Sequence, residues 1–232
     1  MRVEVLADAE AVARSAAQFI ASEARAAAGT RGRFTLAVSG GHTPWRMLRL
    51  LAGEDVPWKS VHLFQVDERV APAGDKDRNL THLRESLLGV SLPVGQLHAM
   101  PVEEEDLTAG AARYARALES IAGTPPVLDL VHLGLGPDGH TASLVPGDKS
   151  LEVTGTDVTL AGPYQGRLRM TLTYPVLNRA RVILWLVTGA EKVAMFGKLK
   201  AADRTIPAGR VRSEGAVVLA DAAAAGTAPA PQ

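Results

Sequence analysis

The chain has 232 residues, a formal net charge of zero, 47% hydrophobic residues and no cysteine. The lack of cysteine excludes disulfides, thiolate zinc sites and a cysteine nucleophile. Balanced charge without a basic run disfavours nucleic-acid binding, and no apolar stretch approaches the roughly 20 residues that span a bilayer. Since the N-terminus also lacks the pattern of a signal peptide, we expect a cytoplasmic protein with no nucleic-acid or membrane partner.

Hydrophobic periodicity predicts elements that alternate between strand and helix along the chain. In the first half these are a strand at 2–7, a helix at 9–28, a strand at 34–38, a helix from Pro44 to about Leu51, a strand at 61–66, a polar loop at 67–77, and helices at 79–88 and 103–121. In the second half they are strands at 127–133, 156–161 and 169–173, a short helix at 174–178, a strand at 182–187, a helix at 190–201 and a strand at 216–219.

This alternation is typical of right-handed βαβ units. We therefore predict an α/β fold with a Rossmann-like, mainly parallel sheet covered by helices on both faces, in a single domain that spans residues 1–220. The Ala- and Pro-rich residues 221–232 are predicted to be a disordered tail. In such a sheet the loops after the strands gather along one edge, so we expect the loops after Val38, Val66, Leu133 and Val187 to be neighbours.

The first of these loops has the composition of an anion site. Ser39, Gly40 and Gly41 end a strand, and Thr43 is predicted to cap the next helix with Pro44 at its first position. Backbone N–H groups at such a helix start attract anions. The alternative is a tight strand-to-helix turn without a ligand, and the local sequence favours neither.

Charged residues follow the next strand directly. Asp67, Glu68 and Arg69 are expected either to form a solvated loop or to face the cleft with Asn79 at the end of the same loop. In the second case Arg69 supplies positive charge where an oxyanion develops, and the carboxylates orient Arg69 or the substrate hydroxyls.

The segment LGLGPDGHTASLVPG, residues 133–147, is dense in glycine and follows an apolar strand. Gly136 and Gly139 permit positive φ and the close approach of a ligand. Histidine is the residue type whose charge changes most readily near neutral pH, so His140 is the first candidate for a catalytic base. Asp138 is a candidate for fixing the tautomer of His140. A packed or exposed histidine without catalytic function is the alternative.

Two cations in the second half of the chain are candidates for binding an anion. Arg169 lies on a predicted strand, and Lys192 lies in the first turn of a predicted helix, where the helix dipole opposes its charge. A bound anion would remove that penalty, whereas the alternative is that both are surface charges. The remaining histidines lack the spacing of metal ligands and are assigned to packing or to the surface: His62, His82, His98 and His132.

Taken together, these segments resemble the family of glucosamine-6-phosphate isomerases and 6-phosphogluconolactonases, on its lactonase side. The matching segments are AVSGGHTP at 37–44, VDERVAP at 66–72, Asn79, the LGLGPDGHTASLVPG loop, RMTLT at 169–173, and Gly189 with Lys192. They occur in the family's order and cover roughly residues 5–220.

The resemblance implies a function. It implies hydrolysis of 6-phospho-D-glucono-1,5-lactone to 6-phosphogluconate, with His140 as the general base, Arg69 as its electrostatic partner and neither a cofactor nor a metal. It implies a phosphate site that consists of Ser39, Gly40, Gly41, Thr43, Arg169 and Lys192. The expected partner is the sugar phosphate lactone alone. We expect a monomer or a weak homo-oligomer; the absence of a heptad pattern does not itself determine the oligomeric state.

Two positions depart from the family pattern, and two other functions are considered. Arg78 stands before Asn79 where the family usually has serine, which weakens the assignment of Asn79 as a ligand, and SLVP at 143–146 lacks the usual phenylalanine.

A glucosamine-6-phosphate isomerase or deaminase would carry a glutamate near Val145. A sugar-phosphate-binding regulator without catalysis would not need the intact DGH and DER segments.

Overall fold

The structure is a computed structural model that describes residues 1–228. Within this range the chain forms ten strands: β1 (Arg2–Leu6), β2 (Phe34–Val38), β3 (Val61–Gln65), β4 (Asp67–Arg69), β5 (Leu97–His98), β6 (Leu130–Gly134), β7 (Val158–Tyr164), β8 (Arg167–Leu172), β9 (Val182–Val187) and β10 (Val217–Asp221). Seven of them form one sheet in the order β1-β10-β9-β6-β2-β3-β5. All neighbouring pairs in this sheet are parallel.

Six helices cover the sheet within the same range: α1 (Ala9–Arg31), α2 (His42–Leu51), α3 (Asn79–Ser86), α4 (Leu107–Ala122), α5 (Tyr174–Arg179) and α6 (Val193–Lys200). Residues of α1, α2 and α3 pack on one face, and residues of α4, α5 and α6 pack on the other. This arrangement confirms the predicted α/β fold with a mainly parallel sheet in a single domain. None of the helices among residues 1–228 is long and apolar enough to cross a membrane.

The central strands are apolar along their whole length because both faces of the sheet are covered. All five residues of β2 are buried, and its side chains alternate between the two cores. Leu36 and Val38 lie on the side of α1 and α2, whereas Ala37 lies on the side of α4. This double burial explains why a continuous apolar run predicted these strands correctly.

Three strands form a second, antiparallel sheet in the order β4-β8-β7. The loop predicted at 67–77 is therefore wrong for Asp67–Arg69, which pair with Thr171–Arg169 of β8. A polar strand of three residues is too short to show a hydrophobic period, so the pattern could not predict it. This small sheet packs through Met170 and Leu172 onto the same core as α4.

Two helix starts differ from the prediction. Helix α2 begins at His42 with Gly41 at its N-cap position, so Thr43 is not the cap, and Pro44 is not its first residue. Helix α4 begins at Leu107 rather than at residue 103, because the Asp106 carboxylate accepts hydrogen bonds from the Thr108 and Ala109 N–H groups. At α4 the Asp106 cap, rather than the hydrophobic period, determines the boundary, whereas Gly41 at α2 offers no side-chain cap.

The tail predicted from residue 221 is wrong over its first part. Asp221 is the last residue of β10, and its carboxylate accepts hydrogen bonds from the N–H groups of Gly189 and Ala224 at 3.1 and 2.7 Å. Ala224 is completely buried. Composition alone could not predict these contacts, and residues 229–232 lie outside the described residues.

Asp129, just before β6, joins three elements through one buried carboxylate. It accepts hydrogen bonds from the Thr35 N–H and hydroxyl at 2.8 and 2.9 Å and from Arg31 Nε at 2.9 Å. We expect Asp129→Ala to lower the free energy of unfolding by about 1–3 kcal/mol, because it leaves the buried Thr35 N–H without an acceptor. Urea unfolding measures this change.

The matched control is Asp55→Ala. Asp55 is 91% exposed and lies 4.0 Å from Arg25, so its removal is expected to change stability by less than about 1 kcal/mol. Equal losses for the two variants would contradict the role given to Asp129.

Candidate active site

A cleft of about 330 Å³ opens at the carboxyl ends of the central strands, between these ends and the small antiparallel sheet. The loops after β2, β6 and β9 reach it together with β4 and β8, as expected for a parallel sheet. Of the site residues predicted from the sequence, those that line the cleft are Ser39, Gly40, Gly41, Thr43, Asp67, Arg69, Asn79, His140, Arg169 and Lys192. Asp138 does not line the cleft itself, but it is hydrogen-bonded to His140, which does.

The imidazole of His140 is oriented by Asp138. Its Nδ1 lies 2.6 Å from Asp138 Oδ1, and the same oxygen accepts the His140 backbone N–H at 3.1 Å. Burial opposes ionisation of Asp138, but the hydrogen bonds from His140 and Tyr164 outweigh it and lower the pKa of this carboxyl. An ionised Asp138 accepts a hydrogen bond from Nδ1–H of His140, so that Nε2 is the ring nitrogen with a free lone pair.

The loop before His140 needs glycine for this geometry. The Gly136 N–H donates to the His140 carbonyl at 2.8 Å, which folds the loop back on itself. A Cβ at Gly136 would lie 2.0 Å from His140 Nδ1, and Gly139 has a φ of +85°. Any side chain at Gly136 would therefore displace the imidazole.

Two arginines lie opposite each other on the small sheet. Arg69 of β4 pairs with Arg169 of β8, and directly opposite residues in an antiparallel pair share a face. Arg69 Nη1 donates to the Asp77 carbonyl at 2.7 Å. Arg169 is only 5% exposed, and its buried Nε has no hydrogen-bond partner within residues 1–228. Burial lowers the pKa of Arg169 below its ordinary value.

The alternation of β4 separates its two carboxylates. Asp67 shares the cleft face with Arg69, and its Oδ2 lies 4.0 Å from Arg169 Nη1. The Ser143 hydroxyl donates to the same oxygen at 2.6 Å. Burial raises the pKa of Asp67, although Ser143 and Arg169 partly offset this. Asp67, and not Glu68, is thus the carboxylate of this segment that faces the cleft.

Glu68 points away from the cleft and caps α3. Its completely buried carboxylate accepts hydrogen bonds at 2.8 Å from the N–H groups of Asn79 and Leu80, the first two residues of that helix. Arg78 Nε lies 3.2 Å from Glu68, and Arg78 Nη1 lies 2.8 Å from Glu103. The arginine that departs from the family pattern is therefore a buried partner of Glu68.

The glycine turn after β2 packs closely against Asn79. A Cβ at Gly40 would lie 2.1 Å from Asn79 Oδ1, and Asn79 Nδ2 donates to the Asp67 carbonyl at 3.1 Å. The hydroxyl of Ser39 donates to the His132 carbonyl at 3.1 Å, so it is already engaged. The backbone of Gly40 and Gly41, at the start of α2, lines the cleft and is the part of this turn that could bind a ligand.

Lys192 reaches the cleft from the turn after β9. Residues Ala190–Lys192 form a short 3-10 segment before α6, so the helix predicted at 190–201 begins irregularly. Lys192 Nζ lies 3.6 Å from the exposed Glu191 carboxylate. The Asp221 carboxylate receives the Gly189 N–H and thereby fixes the start of this turn.

Several residues that contact the site were not predicted, among them Tyr164, Thr188 and His132. Tyr164 donates its hydroxyl to Asp138 Oδ2 at 3.2 Å, and the hydroxyls of Thr188 and Thr43 lie 2.8 Å apart. His132 is completely buried and accepts the Ser39 N–H at Nδ1. Burial lowers the pKa of His132 to about 3, so its ring is neutral. Only Thr188 had a signal in the sequence, because it directly follows a predicted strand.

His62, His82 and His98 do not line the cleft, whereas His42 does. His62 and His98 pair with each other, with Nδ1 of the first 3.2 Å from Nε2 of the second. His82 packs on Trp45 with ring centroids 4.1 Å apart. These contacts agree with their assignment to packing or to the surface. Within residues 1–228 no group of three or more His, Asp or Glu side chains converges as metal ligands do.

Electrostatically, the cleft combines one oriented base with a cationic wall. Its charged lining consists of Arg69, Arg169 and Lys192 against Asp67 and Glu191. The His140 side chain lines the same space. Such an arrangement is able to bind an anion and to take a proton from a water beside it.

The cap made by Glu68 is testable through stability. We expect Glu68→Ala to lower the free energy of unfolding by about 3–5 kcal/mol, because it leaves Arg78 with one charged partner and two helix N–H groups without acceptors. Glu103→Ala is the control, since Glu103 is 51% exposed, and its loss is expected to cost about 1 kcal/mol or less. Urea unfolding of both variants measures the difference, and a smaller loss for Glu68→Ala would contradict its role.

Comparison with known proteins matches this architecture. Residues 7–219 match the family described as glucosamine-6-phosphate isomerases/6-phosphogluconolactonase. The chain is 35% identical to a 6-phosphogluconolactonase of Nostoc sp. over 231 residues, which cover 96% of both chains. It is 34% identical to a 6-phosphogluconolactonase of Mycobacterium tuberculosis over 242 residues, which cover 98% of both.

Solved structures agree. The 6-phosphogluconolactonase of Trypanosoma brucei superimposes with a TM-score of 0.84 at 28% identity, covering 98% of each chain. That of Thermotoga maritima gives a TM-score of 0.84 at 26% identity, covering 95% of this chain and 98% of the other. A monomeric glucosamine-6-phosphate deaminase shares the fold with a TM-score of 0.82 at 18% identity. The chain therefore belongs to the family of glucosamine-6-phosphate isomerases and 6-phosphogluconolactonases.

Proposed function

We propose that this protein hydrolyses 6-phospho-D-glucono-1,5-lactone to 6-phospho-D-gluconate, in the oxidative branch of the pentose phosphate pathway. The observation that carries the proposal is the position of the His140–Asp138 pair in the same cleft as Arg169, Lys192 and the glycine turn. Relatives of almost the same length are named as 6-phosphogluconolactonases. The substrate is a dianion with an electrophilic carbonyl, which suits a cleft with one base and a cationic wall.

In the proposed mechanism the phosphate binds to the backbone of Gly40 and Gly41, to Arg169 and to Lys192. The helix start adds about half a positive charge at the glycine turn. Arg169 has a buried Nε without a partner among the described residues, and a phosphate oxygen would supply the missing acceptor. Asp67 and Asn79, which hold each other, orient the sugar hydroxyls.

Hydrolysis then needs a nucleophile at C1 of the lactone. His140 Nε2 takes a proton from a water, whose oxygen attacks C1 to give a tetrahedral oxyanion. Arg69 stabilises this negative charge. The oxyanion collapses, the bond between C1 and the ring oxygen breaks, and protonated His140 gives its proton to that oxygen. Asp138 keeps the proton on Nδ1, so that Nε2 remains the base.

Deamination of glucosamine 6-phosphate is the nearest alternative, and no observation favours it. Val145, near which the isomerase branch would carry a glutamate, is buried and does not line the cleft. The fold shared with the monomeric deaminase is compatible with either reaction. A regulator without catalysis would have no need of an oriented His140–Asp138 pair. The cytoplasmic location and the monomeric or weakly associated state stay predictions from the sequence.

His140→Ala tests the base. We expect kcat to fall by about 10²–10⁴-fold with little change in KM, because a general base acts only in the chemical step. The measurement is a coupled assay on freshly made lactone, corrected for spontaneous opening. His62→Ala, which removes a histidine outside the cleft, is the control and should keep its activity. Near-normal turnover of His140→Ala would exclude His140 as the base.

Arg169→Ala tests the phosphate site. We expect KM to rise by about 10–100-fold, because hydrogen bonds to a charged group are lost from the bound substrate. Arg167→Ala is a matched control on the same strand, since Arg167 binds Asp75 and Asp77 instead of facing the cleft. Steady-state kinetics with both variants measure the effect. Equal KM values for the two would remove Arg169 from the phosphate site.

A further inference from the structure

Tyr164 contacts the His140–Asp138 pair on one side and Arg169 on the other. Neither the sequence motifs nor the proposed mechanism assigns it a role. Its hydroxyl lies 3.2 Å from Asp138 Oδ2. Its ring meets the His140 ring edge-on, with centroids 5.2 Å apart. On the other side the Arg169 guanidinium carbon lies 5.0 Å from the centre of the Tyr164 ring.

The hairpin between β7 and β8 brings Tyr164 to this place. Gln165 and Gly166 form its two-residue turn, with φ values of +52° and +76°. The β7–β8 register is irregular between Ala161 and Tyr164. Gly162, inside this irregularity, has a φ of +92°, and a Cβ there would lie 2.7 Å from the Tyr164 N atom. The backbone of this segment therefore requires glycine two residues before Tyr164.

The two oxygens of Asp138 have different partners. Oδ1 receives both the backbone N–H and Nδ1 of His140, whereas Oδ2 receives the Tyr164 hydroxyl. The Asp138 side chain is 36% exposed, so without Tyr164 its second oxygen would be held by water alone. A carboxylate with one fixed oxygen rotates more freely than one with two. The Tyr164 hydroxyl thus restricts the orientation that Asp138 imposes on His140.

The ring of Tyr164 has a separate role toward Arg169. A guanidinium over an aromatic face is attracted by the ring quadrupole. Arg169 Nη2 also lies 3.4 Å from the Tyr164 carbonyl. These contacts involve the ring and the backbone but not the hydroxyl. The ring therefore holds the cation proposed for the phosphate, and the hydroxyl holds the carboxylate proposed to orient the base.

We propose that Tyr164 is a positioning residue for both parts of the reaction, with its hydroxyl acting on turnover through Asp138 and its ring acting on substrate binding through Arg169. This inference rests on the proposed lactone hydrolysis. Burial, together with the nearby Asp138 charge, raises the pKa of Tyr164. The hydroxyl therefore keeps its proton at neutral pH and remains a donor.

Two substitutions separate the roles. Tyr164→Phe keeps the ring and removes the hydroxyl, so we expect kcat to fall by about 5–15-fold, as for loss of one hydrogen bond, with KM within about twofold of the wild type. Tyr164→Leu removes both, so we expect the same loss of kcat with a rise in KM of about 3–30-fold. Calorimetric titration with 6-phosphogluconate should show the same pattern, with weaker binding to Tyr164→Leu alone.

Tyr174→Phe is the control, because the Tyr174 hydroxyl donates to the Pro207 carbonyl outside the cleft. It should keep the kcat and KM of the wild type. Circular dichroism and thermal unfolding of all variants establish that each is folded before its kinetics are compared. A general loosening of the hairpin would change kcat and KM together in both Tyr164 variants.

The outcomes distinguish the two proposals. Wild-type kcat in Tyr164→Phe, or equal KM values for Tyr164→Phe and Tyr164→Leu, would overturn the positioning role and leave the proposed function intact. A wild-type protein that does not accelerate lactone opening would overturn the proposed function and this inference with it. If Tyr164→Leu fails to fold, the fall of kcat at constant KM in Tyr164→Phe still decides the role of the hydroxyl.

Discussion

Two like charges lie directly opposite each other on the β4–β8 ladder, where Arg69 pairs with Arg169. Like charges in this position repel and weaken a sheet. Burial adds to the cost for Arg169, as the lowered pKa of its guanidinium indicates. Asp67 offsets part of the repulsion from 4.0 Å. The cleft is thus lined by three cationic side chains and two carboxylates, an excess of positive charge that suits the dianionic substrate proposed for it.

Buried or half-buried carboxylates hold the segments around this cleft. Glu68 receives the first N–H groups of α3, Asp138 receives the backbone and ring of His140, and Asp221 receives the Gly189 N–H before Lys192. Each carboxylate orients a neighbour, and none of the three lines the cleft. The negative charges that support these loops therefore lie outside the lining of the cleft proposed to bind an anion.

The sequence predicted those parts of the molecule that have a regular hydrophobic period or a dense motif. Strands β2, β6 and β9 are continuous apolar runs because both faces are buried. The density of glycine before His140 predicted a tight loop at that position. Strand β4 was missed because three polar residues have no measurable period. Tyr164 was missed because the sequence around it does not indicate which distant residues its side chain contacts. Asp221 was missed because its neighbours in sequence are alanines, whereas its contacts are set by the turn after β9.

The order of strands in the central sheet has a consequence for synthesis of the chain. Strand β1 lies at the edge, and its one neighbour in the sheet is β10, more than 200 residues later. At elongation rates of about 5–20 residues per second, the first strand waits on the order of 10–40 s for its partner. During that time Val3 and Val5 are part of a nascent chain whose remaining strands are able to pair among themselves. Strands β1 and β10 therefore pair only after the more than 200 residues between them have been synthesised.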